Sequence, residues 1–384
     1  MSSFELSVLF FFQLTFILAT CRIIGYLAAR VGQSQVVSEM IAGVVIGPSL
    51  LGYFLPDFQT HLFPKPSMTI IYSVSQVGLV LYMFLIGTEF QIELIRRRIR
   101  SAASVSIAGI ATPFVLGVLI ALFLKRDSTF FSERVRLWEA MLFMGAAMSI
   151  TAFPMLARII YERGLTGTSL GTLALAAGSM DDTAAWCIVA IVLASFNSNV
   201  VIAVSAIGGG VLYAMVVLGV ARPLLGRLGK IAERNENITP PMMALTLMLL
   251  MLGAWFTDRV GIYAVFGAFL LGLSMPRGVF TRDLQQKLEP LTTNLLLPLF
   301  FVYSGLNTRL GLVDSPAMWG VTGVVLFAAC FGKGIACWAA ARINGEDNRE
   351  SMAIGTLMNA RGLMELIILN IGLERGVITP TLFT

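Results

Sequence analysis

Charge is scarce in this chain. Of 384 residues, 13% are Asp, Glu, Lys or Arg, about half the share usual in soluble domains. A soluble protein needs a polar outside, so this shortage excludes an ordinary globular domain in water. Histidine is scarcer: the single one, His61, falls in a loop. Four cysteines, Cys21, Cys187, Cys330 and Cys337, lie in apolar runs without CxxC spacing. They read as small buried hydrophobes. A zinc or redox centre therefore has no ligand set, and no cofactor is expected. No nucleophile–base pair or phosphate loop stands out, which argues against an enzyme. Polar stretches are short as well, the longest near 55–67, 125–136 and 222–239, so no soluble domain is expected. The N-terminus lacks the basic region of a signal peptide and carries Glu5, so the first apolar run reads as a permanent span.

What the chain has in abundance is apolar. Hydrophobic residues make up 57%, and the mean hydropathy is +0.83. Such a composition suits a protein whose solvent is lipid, and 36 glycines suit close helix packing there. The formal charge is +5, but the basic residues sit between apolar runs. They read as orientation signals rather than as a nucleic-acid surface. A span needs about 20 mostly apolar residues. Twelve such runs occur, near 5–29, 36–54, 68–90, 101–124, 137–160, 169–195, 198–220, 240–258, 260–276, 288–306, 317–341 and 351–373. The expected fold is an all-α polytopic membrane protein. Lys and Arg favour alternate connections by two to one, which places the N-terminus outside, against the basic stretch at 125–136. The cell membrane is the expected location.

Intramembrane charges are expensive, about 2.5–3.5 kcal/mol each on insertion scales, and therefore informative. The sixth run, GTLALAAGSMDDTAAWCIVAIVLAS, carries Asp181 and Asp182 at its middle. Adjacent helical positions differ by about 100°, so one carboxylate can face a counter-charge and the other a cavity. Lys333, between Gly332 and Gly334 in the eleventh run, is a suitable counter-charge. One Asp with one Lys would be a plain buried salt bridge; two Asp leave a carboxylate uncompensated. A free carboxylate in low dielectric takes a proton more readily, and the same oxygens can hold a small hard cation. Competition of proton and cation for one site is the physical core of antiport.

Two further runs carry polar interruptions. In SITAFPMLARII, Pro154 cannot donate to the carbonyl of Ile150, which would free carbonyls beside the Ser149 and Thr151 hydroxyls; a simple proline kink gives the same signature. In the twelfth run, Asn359, Arg361 and Glu365 lie deep in MAIGTLMNARGLMELIILNIGL. Arg361 and Glu365, spaced i,i+4, can pair, either as a self-contained helix pair or as part of a site. Runs five and twelve are seven apart, as two inverted halves around a linking helix would give. Glu39 and Asp258 lie near span ends and read as structural.

Several stretches together resemble a known family: VVSEMIAGVVIGPSLLG, SITAFPMLARIIYERGL, AGSMDDTAAW, GIYAVFGAFLLGL, LPLFFVYSGLNTRL, FGKGIACW and MNARGLMELIILNIGLERGVI. The whole of 1–384 is similar to the transmembrane domain of monovalent cation:proton antiporters, in the branch holding plant cation/proton exchangers and bacterial sodium or potassium antiporters. The resemblance implies thirteen helices, of which twelve are visible, with an inverted repeat and broken crossing helices. It also implies a homodimer in the bilayer, and an elevator-like movement of a core domain against a dimerisation domain. A thirteenth helix and, in many members, a cytosolic regulatory domain would follow Thr384. By the same resemblance Asp182 is the essential cation and proton carboxylate for Na⁺ or K⁺. Asp181 would be the partner of Lys333, and a paired acidic motif goes with electrogenic exchange. Many plant-type relatives carry Asn at the first position, so Asp181 leaves the subgroup open. A channel would need a continuous hydrated path lined by rings of like groups, which a single buried cluster does not supply. A membrane sensor or scaffold that binds cations without moving them remains as the alternative.

Overall fold

The computed structural model describes residues 2–383 except 90–91, 198–199, 308–310, 312–314, 363–364, 366–367, 370–371 and 374–375. The described elements are helices: α1 (Ser3–Ala29), α2 (Gln35–Ile46), α3 (Leu51–Phe54), α4 (Pro56–Leu62), α5 (Lys65–Glu89), α6 (Ile92–Leu124), α7 (Leu137–Ser149), α8 (Phe153–Glu162), α9 (Ser169–Asn197), α10 (Val200–Met215), α11 (Arg222–Asn235), α12 (Pro240–Val260), α13 (Ala264–Leu273), α14 (Val279–Leu291), α15 (Leu297–Leu306), α16 (Pro316–Ile343), α17 (Asn348–Leu357) and α18 (Pro380–Phe383). Short π-helical segments join α10 to α11 and α14 to α15.

The protein is a multi-pass membrane protein. Among the described residues, seven stretches are long and apolar enough to cross a bilayer: Ser3–Ala29, Gln35–Phe54, Lys65–Thr88, Ile99–Leu124, Val204–Asn235, Pro240–Val260 and Pro316–Ile343. Other expected spans are shorter or interrupted. The run 137–160 becomes α7 and α8, broken at 150–152, where the sequence suggested an interruption. One of the seven, Gln35–Phe54, is itself not one continuous helix: α2 ends at Ile46, before Gly47 and Pro48, and α3 starts at Leu51. The stretch 222–239, expected as a polar connection, is helical through Asn235. Its buried positions Leu225, Gly229 and Ala232 recur at helical spacing and its charged residues face outward. The second half of the twelfth run falls largely outside the described residues, as do Arg309 and Arg375 of the charge count.

The chain forms two compact units. The first comprises Met1–Glu89, Val211–Arg259 and Tyr263–Arg309. Its polarity is inverted, as lipid demands: on α1, Phe4, Phe11, Phe12 and Ile23 are exposed, while Gln13 is fully buried. The Gln13 amide donates to Leu62 O at 2.6 Å and Ser67 Oγ at 2.7 Å. Arg22, one of the basic residues inside an expected span, donates to Asn294 at 3.0 Å. Backbones approach closely through glycine: a Cβ on Gly43 would stand 2.3 Å from Val302 O, and one on Gly272 2.1 Å from Phe84 O. These two contacts seat α2 on α15 and α13 on α5.

The α11–α12 turn is clasped to α14 of the same unit. Asp283 accepts from the Ile238 amide at 2.6 Å and from Lys287 Nζ at 2.7 Å, and Lys287 also donates to Ile238 O at 3.1 Å. The hydrogen bond from Lys287, followed by the Ile238 amide and the Lys287 charge, holds the Asp283 carboxyl below its ordinary range despite slight burial. A carboxyl depressed in the folded state stabilises above its unfolded pKa, and that contribution is lost as pH falls below about 4. Asp283→Asn is expected to lower stability at pH 7 by less than about 1 kcal/mol, because the clasp is near the surface. The gap from the unmodified protein should close on acidification, as read by thermal unfolding in detergent at the two pH values.

The second unit comprises Phe90–Gly210, Val260–Ile262 and Leu310–Thr384. In it α6 packs on α7, α9 and α16, and α17 packs on α16 and α9. A Cβ on Gly117 of α6 would stand 2.6 Å from Met144 O of α7, so that pair also relies on bare backbone.

Candidate functional site

The break between α7 and α8 starts from backbone chemistry. Ile150 is extended (ψ 139°) and Ala152 is non-helical (ψ 87°), so the last carbonyls of α7 lose their intrahelical partners. Pro154 stands in the first turn of α8, where a missing N–H costs nothing. It thus starts a new helix rather than kinking a continuous one. The chain after α17 is also non-helical over Ala360–Gly362. The two interruptions meet: the Ala152 amide donates to Ala360 O at 2.8 Å, and the Thr151 hydroxyl approaches Met358 O at 3.4 Å.

Two cations cap the freed end of α7. Lys333 Nζ donates to Ser149 O at 2.6 Å, and Arg361 donates to Met148 O at 3.1 Å and Ala329 O at 3.0 Å. Positive charge is stabilised at a helix C-terminus, where orphan carbonyls and the macrodipole converge. Lys333 also pairs with Asp181 Oδ2 at 3.0 Å, both side chains fully buried. The same Asp181 oxygen accepts from the Thr151 hydroxyl at 2.7 Å. Asp182, next on the uninterrupted α9, is 4% exposed. Asp181 Oδ1 and Asp182 Oδ1 are buried without a hydrogen-bond partner. Unsatisfied buried acceptors are costly, and a proton or a small cation would satisfy them. The local charge is two carboxylates against one ammonium.

The expected residues fall as follows. Asp181, Lys333 and Thr151 are brought into one cluster, with Asp182 beside it. Ser149 takes part through its carbonyl; its hydroxyl turns back to Ala146 O at 2.9 Å, because a C-terminal Ser satisfies itself within its own helix. Arg361 pairs with Glu365 as its spacing suggested, yet the pair is not self-contained, since Arg361 also anchors to Met148 and Ala329. Asn359 donates back to Gly355 O at 3.1 Å. Sequence reasoning missed the backbone partners Met148 O, Ala329 O and Ala360 O, which have no residue-type signal. It also missed Gly109 of α6, whose only signal was a glycine in mid-span. Of the residues read as structural, Glu39 accepts from Gln35 Nε2 at 3.3 Å.

Comparison with known proteins shows what the chain as a whole is similar to. A family model described as "Sodium/hydrogen exchanger, transmembrane" matches residues 15–384. The Na(+)/H(+) antiporter NhaS4 of Synechocystis is 38% identical over 370 residues, covering 96% of this chain and 90% of that protein. Cation/H(+) antiporter 20 of Arabidopsis thaliana is 34% identical over 382 residues, covering 97% of this chain, which spans 45% of the plant protein's length. Among solved structures, the sodium proton antiporter MjNhaP1 of Methanocaldococcus jannaschii aligns with TM-score 0.62 at 14% identity, over 98% of this chain and 90% of that one. At that identity the likeness establishes a shared fold.

Proposed function

The chain belongs to the sodium/hydrogen exchanger transmembrane family, and from that premise we propose that it exchanges a monovalent cation, Na⁺ or K⁺, for protons through the Asp181–Asp182 site. The observation that carries this reading is the buried excess of one carboxylate beside the point where the α7–α8 break meets the non-helical stretch after α17. Lys333 and Thr151 occupy one oxygen of Asp181, leaving Asp182 as the group over which proton and cation compete. Interrupted helices at such a site are a recurring way for transporters to offer backbone groups to ions. The relatives bear the names of antiporters, which disfavours an enzyme, a channel or a sensor. In the full reading the exchange is electrogenic, the twelve spans are part of a thirteen-helix inverted repeat, and the protein works as a homodimer in the cell membrane with its N-terminus outside. The second unit, which carries the ion pair, would be the moving element of an elevator.

The test is cation-induced collapse of a pH gradient in proteoliposomes, with Na⁺, K⁺ and Li⁺ titrated separately. Saturable, cation-dependent collapse supports antiport and ranks the ions; its absence in folded, inserted protein points to the sensor or scaffold. In the same assay Thr151→Val keeps the side chain's shape but removes the 2.7 Å donor to Asp181. Hydrogen bonds to charged groups contribute about 1.5–3 kcal/mol, so apparent cation affinity should change roughly tenfold or more, with Thr151→Ser near normal. An unaltered Thr151→Val would remove Thr151 from the site.

A further inference from the structure

Gly109, in the middle of α6, lies against the buried ion pair, and its missing side chain leaves a specific space. A Cβ there would stand 2.8 Å from Cys337 Sγ and 3.7 Å from both Asp181 Oδ2 and Lys333 Cε. Cys337 is fully buried and sits one turn beyond Lys333 on α16. Its thiol donates to Val105 O of α6 at 3.7 Å, one turn before Gly109. The sulfur is therefore held against the α6 backbone by a weak hydrogen bond on one side and by bare glycine on the other. We propose that Gly109 and Cys337 are positioning residues for the ion pair: the sulfur seated on the Gly109 backbone sets how closely α16 approaches α6, and so keeps Lys333 between Ser149 O and Asp181. This inference rests on the pair being the exchange site.

The physical reason is one of contact distances. A methyl at 3.7 Å from the pair is in ordinary van der Waals contact and would not disturb Asp181 or Lys333 directly. The same methyl at 2.8 Å from sulfur overlaps it, and close-packed interiors do not absorb such overlap locally. The overlap is relieved either by turning the Cys337 side chain, which gives up its hydrogen bond to Val105 O, or by moving α16, which carries Lys333 one turn away. The expected damage therefore passes through the sulfur, which makes it reversible by removing the sulfur.

The experiment compares Gly109→Ala, Cys337→Ala, the double variant and Asp182→Asn with the unmodified chain in proteoliposomes, each normalised to folded protein by size-exclusion chromatography. Gly109→Ala is expected to weaken apparent cation affinity roughly tenfold, the fold-change that follows if the cost of one overpacked methylene falls on the cation-bound state, and to displace the pH profile of exchange. The double variant should match Cys337→Ala alone in both readouts. A role in packing alone would change yield but leave affinity and pH profile per folded molecule untouched. The proposal is overturned if Gly109→Ala has normal affinity and pH profile, or if the double variant is as impaired as Gly109→Ala. Should Gly109→Ala fail to accumulate, Cys337→Ala alone is the readout: an altered cation affinity or pH profile per folded molecule supports the proposal, and values equal to those of the unmodified chain overturn it. Normal exchange by Asp182→Asn would place the error in the site itself, separately from the positioning argument.

Discussion

Asp182→Asn is expected to abolish cation-dependent collapse of a pH gradient, down to the rate of vesicles without protein. Asparagine reproduces the size and shape of aspartate, so α9 and its packing are preserved. What it removes is the carboxylate charge for which, in the proposed function, cation and proton compete. Asp182 Oδ1 is buried with no hydrogen-bond partner, so none of the hydrogen bonds that hold the fold is lost with it. The variant is accordingly expected to fold with near-normal thermal stability, which separates loss of function from loss of structure. If it turns over normally, the essential carboxylate lies elsewhere, and Asp181 becomes the first alternative.

The second large effect is expected at Lys333. Its ammonium is fully buried between Asp181 Oδ2 at 3.0 Å and Ser149 O at 2.6 Å. Lys333→Gln leaves the Asp181 carboxylate with only the Thr151 hydroxyl and leaves the end of α7 with one cation fewer. Breaking a buried pair by removing one partner costs about 3–5 kcal/mol, because the remaining charge is uncompensated. The protein has two ways to respond. It can lose that stability, seen as a lower unfolding temperature in detergent, or Asp181 can take up a proton. The second response changes the charge carried per cycle, seen as a weaker dependence of exchange on membrane potential. Unchanged stability together with unchanged voltage dependence would show that the ion pair has neither role.

These two variants probe one cluster from opposite sides. The carboxylates come from α9, which is uninterrupted because no proline falls within Ser169–Asn197. The ammonium comes from α16, and the carbonyl it shares comes from the end of α7. Three helices thus contribute, and the site is held by backbone groups that only become available where α7 stops. That dependence explains why a change at Thr151 or Gly109, neither of which bears a charge, is expected to reach the ion.

Membrane residence was decided by the sequence alone, because a bilayer punishes polar groups so heavily that composition and run length suffice. The same penalty marked Asp181, Asp182 and Lys333: a charge inside an apolar run is legible without coordinates. The break near Pro154 was legible only as one of two options, a new helix start or a kink; Pro113 lies inside the continuous α6, whereas Pro154 falls in the first turn of α8. The tertiary structure decided which groups meet. Helical spacing alone leaves open which of the two Asp takes Lys333; packing selects Asp181, and leaves Asp182 without that partner. The Ser149 hydroxyl was a reasonable ligand by type, yet local geometry turned it inward and offered the carbonyl instead. The Arg361–Glu365 pair was readable from its spacing, but its anchorage on Met148 and Ala329 was not. Every residue carries the same carbonyl, so no residue type announces which one another helix will reach. The role of Gly109 is of the same kind: a glycine's value lies in what stands next to it, and only the fold places Cys337 there.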